Sequence, residues 1–467
     1  MSALGRIRQL AAIVREPVLG ETRGNLKRSW ARLPEQFKVP QQMLGRGGNG
    51  CGATIGVMPR CDFACTGCYL GEEANRIPPA PLEEVKAQMR ALRPTLGNAG
   101  NLQLTDGEVT LRPEAELLEL LRYARELRLI PMLMTHGDTF RRRPGLLERL
   151  IVQGGLVELS IHIDTTQRGR VGRRYRMAST EEELTPLRDE FAELLRRARR
   201  ETGRQIRAAT TMTVTAANLD GVPAVVRWLL RNADAFRLIS FQPIAQVGRT
   251  AGGLGGGVSV ESLWARIAEG LEGPGADPKA IERGQLWVGH PGCNRYVPGV
   301  VVTSKAEAPR FHPLRTSGDA VDERIVDGFL QRFGGISFRM DPPLERWARW
   351  LGLAAAEPRF VFGSLGPFAL HWLRRIGHGR VGRALRDLVA GRVKTQGLVL
   401  VSHHFMSRVE LESPLGRERS ALCVFHVPVE GRLVPMCEVN ATEVRDRYYE
   451  RLGAHGAGSG GTGLGWR

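Results

Sequence analysis

The sequence predicts an α/β protein built on a parallel sheet, and two observations carry that reading. Strand-like and helix-like segments alternate about six times over residues 46–250, the pattern of β/α units joined by right-handed crossovers. The chain has 467 residues, enough for a core of that size with additions at either end.

The elements follow in order. Residues 1–45 form a basic extension in which Leu4, Ile7, Leu10, Ile13 and Val14 recur at helical spacing, with Arg6, Arg8 and Arg15 between them. This is an amphipathic helix that either packs on the core or lies on a membrane surface. A Gly-rich stretch, 45–52, leads into a first strand at 54–58. Helices are expected at 81–92, 113–128, 145–152, 180–202 and 219–231, and strands at 101–104, 130–135, 157–163, 206–214 and 237–243. Pro113 suits the first turn of its helix. A Gly-rich break at 248–257 closes the core. Residues 251–453 form a C-terminal region without regular alternation, in which Trp347, Trp350 and Trp372 sit in helical periodicity. Within it, 421–438 reads as two strands turning at Glu430-Gly431. The Gly-rich tail 454–467 is expected to be disordered.

Net charge is +17 and the isoelectric point about 10.3, so polyanions are attracted. Much of that charge lies on helices, as in Arg196-Arg197-Ala198-Arg199-Arg200, which a solvated helix face also explains. No helix-turn-helix, zinc-finger or RNA-binding signature occurs, so no specific nucleic acid is expected. There is neither an 18-residue apolar run nor a secretory signal pattern. The seven cysteines, three of them within eight residues, fit reduced thiols in a cytoplasmic protein, with a peripheral membrane contact as a further expectation.

Those three cysteines are Cys61, Cys65 and Cys68, spaced C-x3-C-x2-C. Iron–sulfur clusters normally take four cysteine ligands, so three thiolates leave one iron of a four-iron cluster open to substrate or cofactor. The alternative is a zinc knuckle or buried structural thiols, but no second C-x2-C pair follows and the next histidine is His136. The window resembles the signature of the radical S-adenosylmethionine (radical SAM) superfamily. That resemblance implies a curved, partial (β/α)6 TIM-like barrel with its site at the C-terminal strand ends. It further implies a [4Fe-4S] cluster on Cys61, Cys65 and Cys68, with S-adenosylmethionine (SAM) on the open iron. One electron, from a small reductant protein such as ferredoxin or flavodoxin, then cleaves SAM to a 5′-deoxyadenosyl radical. Gly67 stands where the family usually has an aromatic, and Tyr69 is the candidate to cover the adenine.

Thr105-Asp106-Gly107-Glu108 at the second strand's end resembles the family's Gly-Gly-Glu segment, with Asp106 in place of the first glycine. There Asp106, Gly107 and Glu108 would hold the SAM ammonium, which needs acceptors. An ordinary βα turn with an acidic helix start is the alternative. Ser160, His162 and Asp164 share one strand face and are candidates for SAM or substrate, against the plainer reading of His162 as a hydrogen-bonded core histidine. Thr213 and Gln242 are weaker candidates of the same kind.

Cys51, Cys293, Cys423 and Cys437 remain. Four thiols complete a fully ligated second cluster; four unrelated buried thiols are the alternative. A hairpin centred near residue 430 would set Cys423 opposite Cys437, and Cys51 falls on a flexible loop. His290-Pro291-Gly292-Cys293, His404-Phe405-Met406 and the Cys423–Cys437 hairpin resemble the branch containing tetraether-lipid synthases. That branch implies a lipid-like substrate and C–C bond formation or methylation. The other readings are a radical SAM enzyme acting on a peptide or small soluble metabolite, and a non-catalytic metal- and nucleic-acid-binding protein.

Overall fold

A computed structural model describes residues 7, 10–11, 14–15, 21–251, 253, 257–271, 278–336 and 343–458. Six strands follow one another through the first half: β1 (Cys51–Ala53), β2 (Asn101–Leu104), β3 (Ile130–Thr135), β4 (Glu158–His162), β5 (Arg207–Val214) and β6 (Phe236–Pro243). Each pairs in parallel with the next, and helices cover the outer face. The helix Glu114–Glu126 buries Leu117, Leu120, Leu121 and Ala124, the i, i+3, i+4, i+7 stripe of a core-facing helix. Each such leucine contributes about 1.5–3 kcal/mol on burial. Strand twist curls the sheet into a partial (β/α)6 barrel.

The chain then extends the sheet at both edges instead of building an unrelated region. The later strands are β7 (Asn294–Ser304), β8 (Arg310–Pro313), β9 (Val393–His403), β10 (Phe425–Val429) and β11 (Arg432–Pro435). The order across the sheet is β11-β10-β1-β2-β3-β4-β5-β6-β9-β7-β8. Strand β9 joins β6 in parallel and β10 joins β1 in parallel. The helices Pro343–Ala356, Pro358–Ile376 and Val381–Val389 fill the long connection between β8 and β9.

Three expectations need correction. The first strand is Cys51–Ala53, not 54–58. Beyond Thr54 the backbone is satisfied by side chains: Gln88 bonds both the N–H and C=O of Ile55, and Asp106 accepts from the Gly56 N–H at 2.6 Å. Cys51 therefore lies on a strand, its N–H donating to the Val424 carbonyl at 3.0 Å. The hairpin does turn at Glu430 and Gly431, both with positive φ, as a two-residue connection requires. Its register, however, pairs Val429 with Arg432 and His426 with Pro435, so Cys423 and Cys437 are not a ladder pair. Cys437 belongs to the following helix, Met436–Ala441. Finally, the closing helix Val444–Gly458 runs past residue 454, where a disordered tail was expected. Residues 459–467 lie outside the described residues, as do Leu4, Ile13 and most of the expected N-terminal helix.

That closing helix is bound into the barrel. Tyr448, Tyr449 and Leu452 are buried against it. Arg445 donates to Asp106 Oδ1 at 2.6 Å, and Tyr449 Oη donates to Asp106 Oδ2 at 2.9 Å. Asp106 sits at φ +86°, a conformation that a short polar side chain bonded to the backbone can hold. Removing one partner of a buried pair leaves an uncompensated charge. Arg445→Met is therefore expected to cost about 3–5 kcal/mol, read as a fall in the urea midpoint.

Candidate functional site

Cys61, Cys65 and Cys68 lie on the loop that leaves the C-terminal side of β1, held from both flanks. Ala64 N–H and Thr66 N–H donate to the carbonyls of Arg168 and Thr166, at 2.7 and 3.0 Å, beyond β4. Arg249, beyond β6, donates its N–H to the Cys68 carbonyl and its guanidinium to the Cys65 carbonyl. All three thiols are free and partly buried, and Cys61 lies within electrostatic reach of Cys65, and Cys65 of Cys68. Burial pushes Cys61 and Cys68 up and Cys65 to about 12. These thiols stay protonated until a cation supplies the compensating charge. Three thiols on one loop are the donor chemistry an iron–sulfur group takes, and Cys61 also shares a cluster of ligand atoms within 4.8 Å of one another with Asp62 and His136.

The loop rests on the ends of β2 and β3. Phe63 stacks on His136 with ring centroids 3.8 Å apart, and the Arg170 guanidinium lies over Phe63. His136 Nε2 meets Asp62 Oδ1 at 2.7 Å, and Arg142 donates to Asp62 Oδ2. Burial works against the Asp62 charge, but His136 and Arg142 outweigh it and hold the carboxyl at about 2. Neither acid of the 105–108 segment presents a free carboxylate. Glu108 is buried and accepts from the Thr110 N–H and hydroxyl, the Thr135 hydroxyl and the His136 N–H. Asp106 is taken by Gly56, Arg445 and Tyr449. Gly107 has φ +54°, and a Cβ there would fall against the carbonyl oxygens of Met58, Pro59 and Arg60. The two side chains expected to meet an ammonium thus hold the turn, because buried acceptors find protein donors first. Tyr69 donates to or accepts from Thr105 at 3.1 Å and carries the Arg445 guanidinium over its ring.

The inner wall of the barrel is polar. The register sets His162 beside Thr211, Thr211 beside Ser240, and Thr213 beside Gln242, on the face that also carries Ser160. Leu159, Ile161 and Ile163 are buried on the helix side. Ser160 bonds Thr211 at 3.0 Å. His162 Nε2 meets Asp164 Oδ2 at 2.5 Å and Thr213 Oγ1 at 3.1 Å, and its side chain keeps 32% exposure. Asp164 lies beyond the strand, accepting from the Thr166 and Thr213 N–H groups. Burial raises it, but His162 and these donors hold it below its ordinary value. Gln242 donates to Ser240 at 3.3 Å. Strand β9 adds His403, bonded to Ser240 and to the Tyr296 hydroxyl and held by burial at about 4, a neutral imidazole.

The structure also gathers the other four cysteines from four separate elements. Cys51 opens β1, Cys293 precedes β7, Cys423 precedes β10 and Cys437 starts a helix. Cys423 lies within electrostatic reach of Cys437, Cys293 and Cys51, and Cys437 of Cys293. All four are free thiols. The segment after β9 closes over them: His404 N–H donates to the Cys293 carbonyl at 2.8 Å, and the Met406 backbone reaches the Cys437 thiol.

Residues 55–229 match the family model described as the Radical SAM superfamily. The chain carries a radical SAM domain. Over 198 residues it is 22% identical to 7,8-dihydro-6-hydroxymethylpterin dimethyltransferase of Methanocaldococcus jannaschii, a match covering 42% of this chain and 37% of that protein. A radical SAM domain implies a [4Fe-4S] cluster and SAM. The matched residues contain the Cys61–Cys68 loop, the Thr105–Glu108 turn and the polar ends of β4 and β5. Asp62, His136, Arg170, Arg249 and His403 escaped the sequence reading. For His136 a signal was available, since it directly follows β3 at the C-terminal end of the barrel. For Arg249, 181 residues beyond Cys68, there was none.

Glu108→Gln places an amide NH2 among four donors. It is expected to lower stability by about 1–3 kcal/mol, read as a drop in the melting temperature of the protein before any SAM is added.

Proposed function

We propose that this chain is a radical SAM enzyme acting on an unactivated C–H of a lipid-like substrate. The observation that carries the chemistry is the Cys61–Cys68 loop, fastened over the strand ends of a barrel whose inner wall is lined by Ser160, His162, Thr213, Gln242 and His403. When bound, the cluster and SAM supply a 5′-deoxyadenosyl radical for hydrogen abstraction, with the electron delivered by a ferredoxin- or flavodoxin-like partner. The chain's own part is to hold and orient. Cys61, Cys65 and Cys68 would hold the cluster; the Glu108 and Asp106 bonds fix the turn whose backbone carbonyls would accept from the SAM ammonium; His162 and Thr213 would offer polar contacts on the open face. Convergence of Cys51, Cys293, Cys423 and Cys437 supports a second, fully ligated cluster, because four thiolates are the number such a cluster takes.

The lipid reading rests on the helices between β8 and β9. Leu344, Trp347 and Leu351 form one exposed stripe, with Trp347 at 70%, and Phe362, at 66%, Leu365 and Leu370 stay exposed on the next helix. The same stretch of chain carries exposed arginines, among them Arg359, Arg374, Arg380 and Arg386. Exposed aromatic and aliphatic side chains on helices that also carry exposed arginines suit an anionic membrane surface. Among the described residues no helix is long and apolar enough to cross a membrane, so the contact would be peripheral. The name of the Methanocaldococcus jannaschii relative favours methyl transfer as the outcome, and a soluble substrate is the second reading.

Anaerobically reconstituted protein should hold roughly eight irons, falling to about four when Cys61, Cys65 and Cys68 are all replaced by Ala. That variant should form no 5′-deoxyadenosine with dithionite and SAM. Detectable product would refute the assignment of those ligands, and about four irons in the wild type would remove the second cluster. The protein should also float with anionic liposomes at physiological salt, and Trp347→Ser with Phe362→Ser should reduce the floated fraction several-fold. Wild-type protein that stays unfloated leaves the soluble-substrate reading in place.

A further inference from the structure

A group of three ligating side chains lies away from every cysteine. Asp319 and Asp322 start the short helical segment after β8, and His371 lies on the helix Pro358–Ile376. Their ligand atoms all lie within 4.8 Å of one another. His371 Nε2 is 3.3 Å from Asp322 Oδ1 and 3.5 Å from Asp319 Oδ2. Asp322 is 0% exposed, yet its Oδ1 has no hydrogen-bond partner, and neither has the buried Nε2 of His371. Two complementary polar atoms at 3.3 Å that do not bond are not aimed at each other. A buried polar atom left unbonded is destabilising, so the pair calls for a third party.

We propose that Asp319, Asp322 and His371 form a site for a divalent transition-metal ion, of which zinc is the best match. A tetrahedral ion bound at about 2.1 Å sets its ligands about 3.4 Å apart, a value that the observed 3.3 and 3.5 Å separations bracket. One imidazole nitrogen with two carboxylate oxygens suits zinc better than calcium or magnesium, which favour oxygen-only shells. Three of the four carboxylate oxygens already have donors, and the fourth, Asp322 Oδ1, has none. Asp322 Oδ2 accepts from the Thr316 N–H at 3.0 Å and from Arg375 at 2.7 Å, while Asp319 Oδ1 accepts from the Val321 and Asp322 N–H groups. Arg375 also reaches Asp319 Oδ2 at 3.3 Å, so one guanidinium faces two carboxylates and a net negative charge remains for the ion. His371 and Arg375 are four residues apart and share a helix face. The ion would clasp the helix that carries Phe362 and Leu365 to the sheet edge at β8, a structural role separate from the cysteine chemistry.

The test uses full-length protein reconstituted with iron and sulfide, so that the thiols are filled, then exchanged into zinc and desalted. Wild type should retain about one zinc per chain, while His371→Ala and Asp322→Asn retain less than a tenth of that with iron unchanged. Chelation should also speed proteolysis within 358–376 several-fold in the wild type and not in His371→Ala. Zinc retention equal in wild type and His371→Ala overturns the site. So does wild type that fails to take zinc from a chromophoric chelator of micromolar affinity, whatever the variants do; the trio then only packs around the Arg375 guanidinium.

Discussion

The Asp106 carboxylate is the point through which the rest of the molecule is tied. It accepts from Gly56, just before the cysteine loop, and from Arg445 and Tyr449 of the closing helix, while its own backbone forms the turn at the end of β2. A buried charge is tolerated only when paired and fully bonded. Its presence therefore obliges the first strand's continuation, the second strand's end and a helix more than 300 residues later to adopt one mutual arrangement. Arg445 passes that constraint on by lying over Tyr69, directly beside Cys68.

Glu108 does the same work one turn later. Four donors from β2, β3 and their connections converge on one carboxylate, and the His136 so placed is the surface on which Phe63 stacks. The loop that holds three thiols is thus positioned by hydrogen bonds to the segments beyond β4 and β6 and by the stacking of Phe63 on His136.

Local patterns were legible in the sequence where local physics decides them. The strands Asn101–Leu104 and Ile130–Thr135 fall where apolar runs bounded by turn residues put them, and the helix Glu114–Glu126 follows from its stripe and its leading proline. The C-x3-C-x2-C window marks its chemistry by spacing alone. What could not be read depends on partners distant in the chain. Thr54–Met58 has strand-like composition, yet Gln88 and Asp106 occupy the backbone groups a neighbouring strand would have used. The sheet's growth at both edges needs β9 to find β6 and β10 to find β1 across long connections. Asp106 and Glu108 carry the charges a ligand ammonium seeks, and only the fold reveals that Arg445, Thr135 and His136 have taken them. The hairpin shows how little separates success from error: its turn is correct, and a shift of one residue in register moves both cysteines out of alignment.

The two groups of thiols differ in how the chain delivers them. Cys61, Cys65 and Cys68 lie within eight residues of one another, and their supporting strands follow at once. Cys51 is separated from Cys437 by 386 residues, with Cys293 and Cys423 between them. Bringing the first set together closes only a short loop, whereas the second set meets only after long loops have closed. A chain cut before residue 437 would keep the first three thiols and lose the other four as a set.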